Sequence, residues 1–157
     1  MSTVLWESLQ AWWPETILSL GALGVMLVGV WDQTAKGTRL TTWGVLASCG
    51  VALWSVPALP QSATFFGLIL CDPFSLVFRW LALGTMVVTC LFITASKELA
   101  SSHLGECLGL VLLLGVGLML MAEANHLLLA VVAMELVSLS AYLLVGFRAD
   151  ARSAEAA

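Results

Sequence analysis

A carboxyl, a hydroxyl and a phenol recur along one short stretch of the chain, at Glu135, Ser138 and Tyr142. Spacings of three and seven residues put all three on one face of an α-helix, with Ser140 pointing elsewhere. A carboxyl can take up and release a proton, and a hydroxyl and a phenol can each donate and accept a hydrogen bond. In a row, such groups can hold water and pass a proton along. The chemistry this pattern suggests is proton transfer, with Glu135 as the group that carries charge.

The surroundings of Glu135 sharpen that reading. From His126 to Phe147 it is the sole acid in an otherwise apolar run, long enough to cross a bilayer at roughly 20 residues per span. Glu135 lies eight residues after Leu127, or about 12 Å along a helix. That depth is near the middle of a hydrocarbon layer about 30 Å thick. An acid there costs about 2.5–3.5 kcal/mol even on the mildest insertion scale, so function is its default explanation. The alternative is a Glu tied permanently to another helix as structural glue.

Other charged residues read more plainly. Arg79, a few residues after Asp72, is expected to snorkel to the interface, the alternative being an inward-facing partner for an acid. Glu15 and Glu106, each in a first helical turn, suit the positive end of the helix dipole. Glu123 and His126 flank a tight turn and are expected at an interface, with a proton inlet as the alternative. His103 falls in a loop without metal-ligand spacing. There is no Gly-rich phosphate loop, nucleophile triad, haem motif or clustered metal-ligand pattern.

The elements that must position these groups follow from composition. The 157 residues are 61% hydrophobic and 10% charged, with mean hydropathy +1.01, whereas soluble domains carry roughly 25% charge. The fold class is therefore an all-α, polytopic membrane helix bundle. The net charge of −4 is scattered, and no basic patch suggests nucleic acid. Cys49, Cys71, Cys90 and Cys107 include no C-x-x-C pair and read as small packing residues.

About five spans are expected, at 14–31, 41–56, 74–95, 104–122 and 126–147, forming a single membrane domain. Trp6, Trp12 and Trp13 place the N-terminal lead at an interface. No basic residue precedes the first apolar run, so the first span is expected to remain in the mature protein. Asp32–Leu40, Pro57–Leu70 and Ser96–His103 read as loops, the second partly buried, and Arg148–Ala157 as a polar tail. Asp72-Pro73 supplies a cap and a first-turn proline for the third span. Lys36, Arg39, Lys97, Arg148 and Arg152 all fall on one side, which makes that side cytoplasmic and puts the N-terminus outside. Small residues four apart, Gly44…Ser48 and Gly105…Gly109, permit close helix contact.

At this point a resemblance appears. The residues Gly117–Asn125, Leu127–Leu129, Met134–Phe147 and Ser153–Ala156 resemble those of the proton-translocating subunit N of bacterial NADH–quinone oxidoreductase, chain 2 of respiratory complex I. Pro14-Glu15, Asp72-Pro73-Phe74-Ser75 and Gly105-Glu106 agree with the same family. The resemblance is specific from Gly117 onward and loose between Trp31 and Leu70. It implies an antiporter-like subunit in which Glu135 belongs to a mid-membrane line of charged residues and pairs with a Lys on a later span. It implies no redox cofactor in this chain, with NADH and quinone used by the assembled complex. The implied partners are other membrane-arm subunits and the lipid bilayer, and the implied location is the bacterial cytoplasmic membrane.

Two features depart from the family. His126 stands where an Asp is common. Family members also continue through many further spans, and the two lysines here, Lys36 and Lys97, both fall in loops. The Lys partner of Glu135 is thus expected in further spans, whether this sequence is a truncated product, an excerpt or one piece of a split subunit. Competing readings are the matching part of a sodium/proton antiporter or membrane hydrogenase subunit, and a non-transporting membrane scaffold.

Overall fold

The computed structural model describes residues 12–31, 35–55, 64–65, 67–70, 72–96 and 103–155. Five helices account for most of them: α1 (Trp13–Trp31), α2 (Ala35–Ser55), α3 (Pro73–Ser96), α4 (Leu104–Glu123) and α5 (Leu127–Glu155). Between α2 and α3 lies an antiparallel hairpin, β1 (Thr64–Phe65) and β2 (Ile69–Leu70), with Thr64 opposite Leu70 and Phe65 opposite Ile69. Its turn needs Gly67, whose φ of 73° lies in the left-handed region that side chains disfavour.

Four helical stretches are long and apolar enough to cross a membrane: Trp13–Trp31, Pro73–Ala95, Leu104–Glu123 and Leu127–Gly146. The fifth helix, α2, carries a shorter apolar stretch, Leu40–Trp54. In a bilayer, every backbone polar group must be bonded within the protein, and helices do this without help from neighbours. The chain is an all-α polytopic membrane bundle, and therefore multi-pass.

Some boundaries differ from the sequence reading. The polar segment expected as a loop over Asp32–Leu40 is helical from Ala35, and the polar tail continues α5 to Glu155. Helix needs only intact backbone bonding, so polarity at a helix end marks where the helix leaves the hydrocarbon and not where it stops. The expected loop Pro57–Leu70 contains the hairpin. Trp6, Cys71 and Lys97 lie outside the described residues, as do the side chains of Lys36, Arg39, Arg148 and Arg152.

Local chemistry sets the helix starts. Asp72 Oδ1 accepts the backbone N–H of Ser75 at 2.7 Å, while Ser75 Oγ accepts the Asp72 N–H at 3.0 Å. This reciprocal cap satisfies two donors at the start of α3. At α5 the imidazole Nδ1 of His126 accepts the Leu128 N–H at 3.3 Å. His126 therefore caps this helix.

Helix α4 is the hub. Of its membrane-crossing window 67% is buried, against 11% for that of α5. Its Leu108, Leu112, Val116 and Met119 meet Leu18 and Ala22 of α1, Val45 of α2 and Leu83 of α3 in one core. Cys49, Cys90 and Cys107 are buried free thiols, and Cys49 and Cys90 lie within this core. The α1–α4 contact depends on glycine. A β-carbon added at Gly105 would stand 2.7 Å from the Gly29 Cα, and one added at Gly29 would stand 2.9 Å from the Gly105 Cα. Backbones this close exclude any side chain between them. The Gly44…Ser48 pair serves α1–α2 in the same way, Ser48 lying against Gly21 and Gly44 against Val25.

Candidate functional site

Helix α5 touches the bundle along one stripe. Ala133 and Ser140 are buried there, and Gly117 of α4 receives the side chain of Val137. Glu135 and Tyr142 each follow a buried residue by two positions, which is about 200° around a helix of 3.6 residues per turn. They consequently face away from the bundle. Glu135 is exposed, Tyr142 is 74% exposed, and Ser138 sits half-buried at the edge of the same face. Ser138 Oγ donates to the Met134 carbonyl at 2.9 Å. Among the described residues no hydrogen bond or ion pair joins Glu135, Ser138 and Tyr142 to one another. The face around them is otherwise aliphatic, with Leu128, Val131, Leu139 and Leu143 exposed.

A second constellation lies inside the bundle, where the sequence reading held an inward-facing Arg79 only as the alternative and did not name its partners. Arg79 is wholly buried, with 0% of its surface exposed. Its Nε and Nη2 donate to the two carboxylate oxygens of Glu123, the second at 2.6 Å. Nη2 also stands 3.1 Å from Oε1 of Glu15. Glu15 and Glu123 are 3% and 2% exposed. One guanidinium thus binds the start of α1, the second turn of α3 and the end of α4.

This overturns three expectations. Arg79 does not snorkel, because its helix face is turned to α1 and α4 and two acids await it there. Glu123 is not a surface turn residue, and Glu15 is not merely a dipole partner. A signal was present: on the topology expected from the sequence, Glu15 and Glu123 fall on the side away from Lys36, Arg39, Lys97, Arg148 and Arg152, and Arg79 is the basic residue within reach of that side. Planar, doubly donating contact with a carboxylate is the geometry that arginine provides and lysine does not.

The hairpin lies just beyond this cluster. Ile69 pairs with Ala124, the residue after Glu123, and is itself fully buried against Trp12, Leu120 and Leu129. Asn125 fixes the arrangement, its backbone N–H donating to the Leu68 carbonyl at 2.8 Å and its Nδ2 to the Gly67 carbonyl at 3.0 Å. At the opposite end of α4, His103 and Glu106 form an exposed pair at 3.5 Å. Among the described residues no group of three His, Cys, Asp or Glu side chains is placed to hold a metal ion.

Comparison with known proteins gives a consistent result. The chain is 36% identical over 155 residues to NAD(P)H-quinone oxidoreductase subunit 2 of Thermosynechococcus vestitus, covering 92% of this chain and 28% of that protein. It is 36% identical over 151 residues to NADH-quinone oxidoreductase subunit N of Rhizorhabdus wittichii, covering 91% and 30%. With subunit N of an Anaeromyxobacter species it shares 29% over 144 residues, covering 90% and 28%. No family model matches the sequence. The chain spans under a third of the length of the curated relatives it matches.

Proposed function

We propose that this chain, which belongs to the family of NADH-quinone oxidoreductase subunit N and NAD(P)H-quinone oxidoreductase subunit 2, is the N-terminal portion of a proton-translocating membrane-arm subunit of such a complex. The observation that carries the reading is Glu135. In a segment similar to those subunits along nine tenths of its length, one carboxyl stands within the apolar span Leu127–Gly146, on a face that the bundle leaves bare. An acid at this depth of an apolar span marks a proton or ion path. Glu135 takes and releases the proton, and Ser138 and Tyr142 border its route along the same face.

The bare face of α5 meets further spans that carry a Lys partner for Glu135, in the same polypeptide or in another chain. The other partners are membrane-arm subunits. NADH and quinone are used elsewhere in the assembly, and this chain holds no redox centre. It sits in the bacterial cytoplasmic membrane with its N-terminus outside, because Lys36, Arg39, Lys97, Arg148 and Arg152 are expected on one side.

The test has two parts. Gentle solubilisation of native membranes and capture of this chain should recover NADH dehydrogenase subunits. Recovery with sodium/proton antiporter or hydrogenase subunits would redirect the assignment. Proton uptake by inverted membrane vesicles should then fall with Glu135→Gln while NADH oxidation remains measurable. Unchanged uptake would leave Glu135 as helix glue and the chain as a scaffold.

A further inference from the structure

The buried cluster at the other end of the bundle contains two acids and one base. Glu123 receives both donors of the Arg79 fork. Glu15 faces Nη2 at ion-pair distance, yet among the described residues neither of its carboxyl oxygens accepts a hydrogen bond. The two carboxyl groups converge on the same guanidinium nitrogen, Nη2 standing 2.6 Å from Glu123 Oε2 and 3.1 Å from Glu15 Oε1. Two ionised carboxylates in that position present only acceptors and have no donor to place between them.

We propose that Glu15 and Glu123 form a proton-holding pair: their carboxyl groups share one proton, and Arg79 neutralises the remaining charge. The chain then carries a protonatable site distinct from Glu135, where α1, α3 and α4 meet. The ligand is a proton taken from water. On arrival it binds a Glu15 oxygen, and the resulting O–H donates to the Glu123 carboxylate. On departure both carboxylates are ionised and compete for the guanidinium, whose Nη2 already faces each of them.

The charge balance supports this assignment. An arginine keeps its proton, so it offsets one carboxylate and leaves the second uncompensated in a space closed to water. Among the described residues the neighbours supply no second cation. Asp72, at the start of α3, adds a further negative charge that acts on Glu123. The hairpin offers Ile69 and Leu70. Helix α5 begins with the exposed His126, engaged with the Leu128 N–H. The stretch of α2 from Cys49 to Ser55 holds no charged residue. A proton is the smallest group that both neutralises the excess charge and supplies the missing donor.

A permanently ionised structural rivet makes the opposite prediction, and infrared difference spectroscopy of the full chain in lipid bilayers separates the two. Glu135→Gln serves as the background, so that Glu135 does not contribute. A protonated-carboxyl C=O band, shifted by deuteration, should persist there at neutral and mildly alkaline pH. Adding either Glu15→Gln or Glu123→Gln should remove the whole band, because the carboxylate left behind has Arg79 to itself. Absence of the band in the Glu135→Gln chain overturns the proposal, and that reading needs no change to the cluster. A band that survives either further replacement overturns it too. The measurement does not involve pumping, so its failure is separable from failure of the functional reading above.

Discussion

The two acidic centres of this chain solve the same problem in opposite ways. At the junction of α1, α3 and α4, Glu15 and Glu123 are enclosed with Arg79, which offsets one of their two charges from within the bundle. On α5, Glu135 stands on an exposed aliphatic face without a basic partner among the described residues. The first arrangement has its cation within the segment, and the second has none among the described residues. Charge in a membrane is tolerated where it is paired or where it works; the cluster is the paired case, and the proposed role of Glu135 is the other. The contrast also divides the consequences of mutation. Changes at the cluster should act on folding, and changes at Glu135 should act on transport.

The largest effect is expected at Arg79. Arg79→Met leaves two buried acids without a cation, a loss of about 3–5 kcal/mol when one side of a buried pair is removed. Unfolding of the purified chain in mixed micelles, followed by circular dichroism, would show it. The comparison sharpens with the triple variant Arg79→Met, Glu15→Leu, Glu123→Leu. Replacing a whole buried ion cluster with apolar side chains is close to neutral, so most of the lost stability should return. If Arg79→Met alone is silent, the cluster is not the lock that its geometry describes.

Next in size is the α1–α4 seam on which that cluster rests. Gly105→Val forces a branched side chain against the Gly29 backbone, and overpacking of a tight contact costs about 1–3 kcal/mol. The same unfolding measurement applies, and a companion Gly24→Val provides the control, since a β-carbon there meets nothing within 4 Å. Equal effects at the two positions would mean that helix propensity, and not the seam, sets the cost. Smaller still is Asn125→Ala. It removes one hydrogen bond from the hairpin to the α4–α5 turn, worth about 0.5–1.5 kcal/mol. Hydrogen exchange at the Asn125 and Ile69 amides should rise before any global change.

These positions also show how far the sequence could be read. Hydropathy located the helices because each span buries or solvates its own backbone, and that information is local. The caps were partly local too: Asp72-Pro73 announced the start of α3, whereas the imidazole cap of α5 has no common sequence signature. Arg79 was the failure. Its partners lie 44 residues ahead in Glu123 and 64 residues back in Glu15, and a single sequence does not encode which helix faces meet. Taken alone, an arginine near a span end does snorkel more often than it pairs. The charge imbalance between the two sides was the available clue, and it becomes decisive only when the bundle shows that α1, α3 and α4 share one corner. The glycine spacing at Gly105 and Gly109 was visible but common, and the proximity of Gly29 is what gives it meaning.

The smallest effect on folding should come from the residue with the largest proposed role. Glu135 projects from the bundle, so Glu135→Gln removes no contact within it. Substitutions away from buried features usually change stability by under about 0.5 kcal/mol, and the unfolding curve of this variant should overlay that of the parent chain. In the assembled complex the same change should abolish most proton uptake, because glutamine matches the shape of the acid but cannot cycle a proton. Glu135→Asp should restore part of that uptake, as it keeps the titrating group and only shortens its reach. A Glu135→Gln chain that unfolds as easily as Arg79→Met would erase the distinction between the two centres. It would mean that the α5 face is already engaged within this segment, and Glu135 would then be a second rivet.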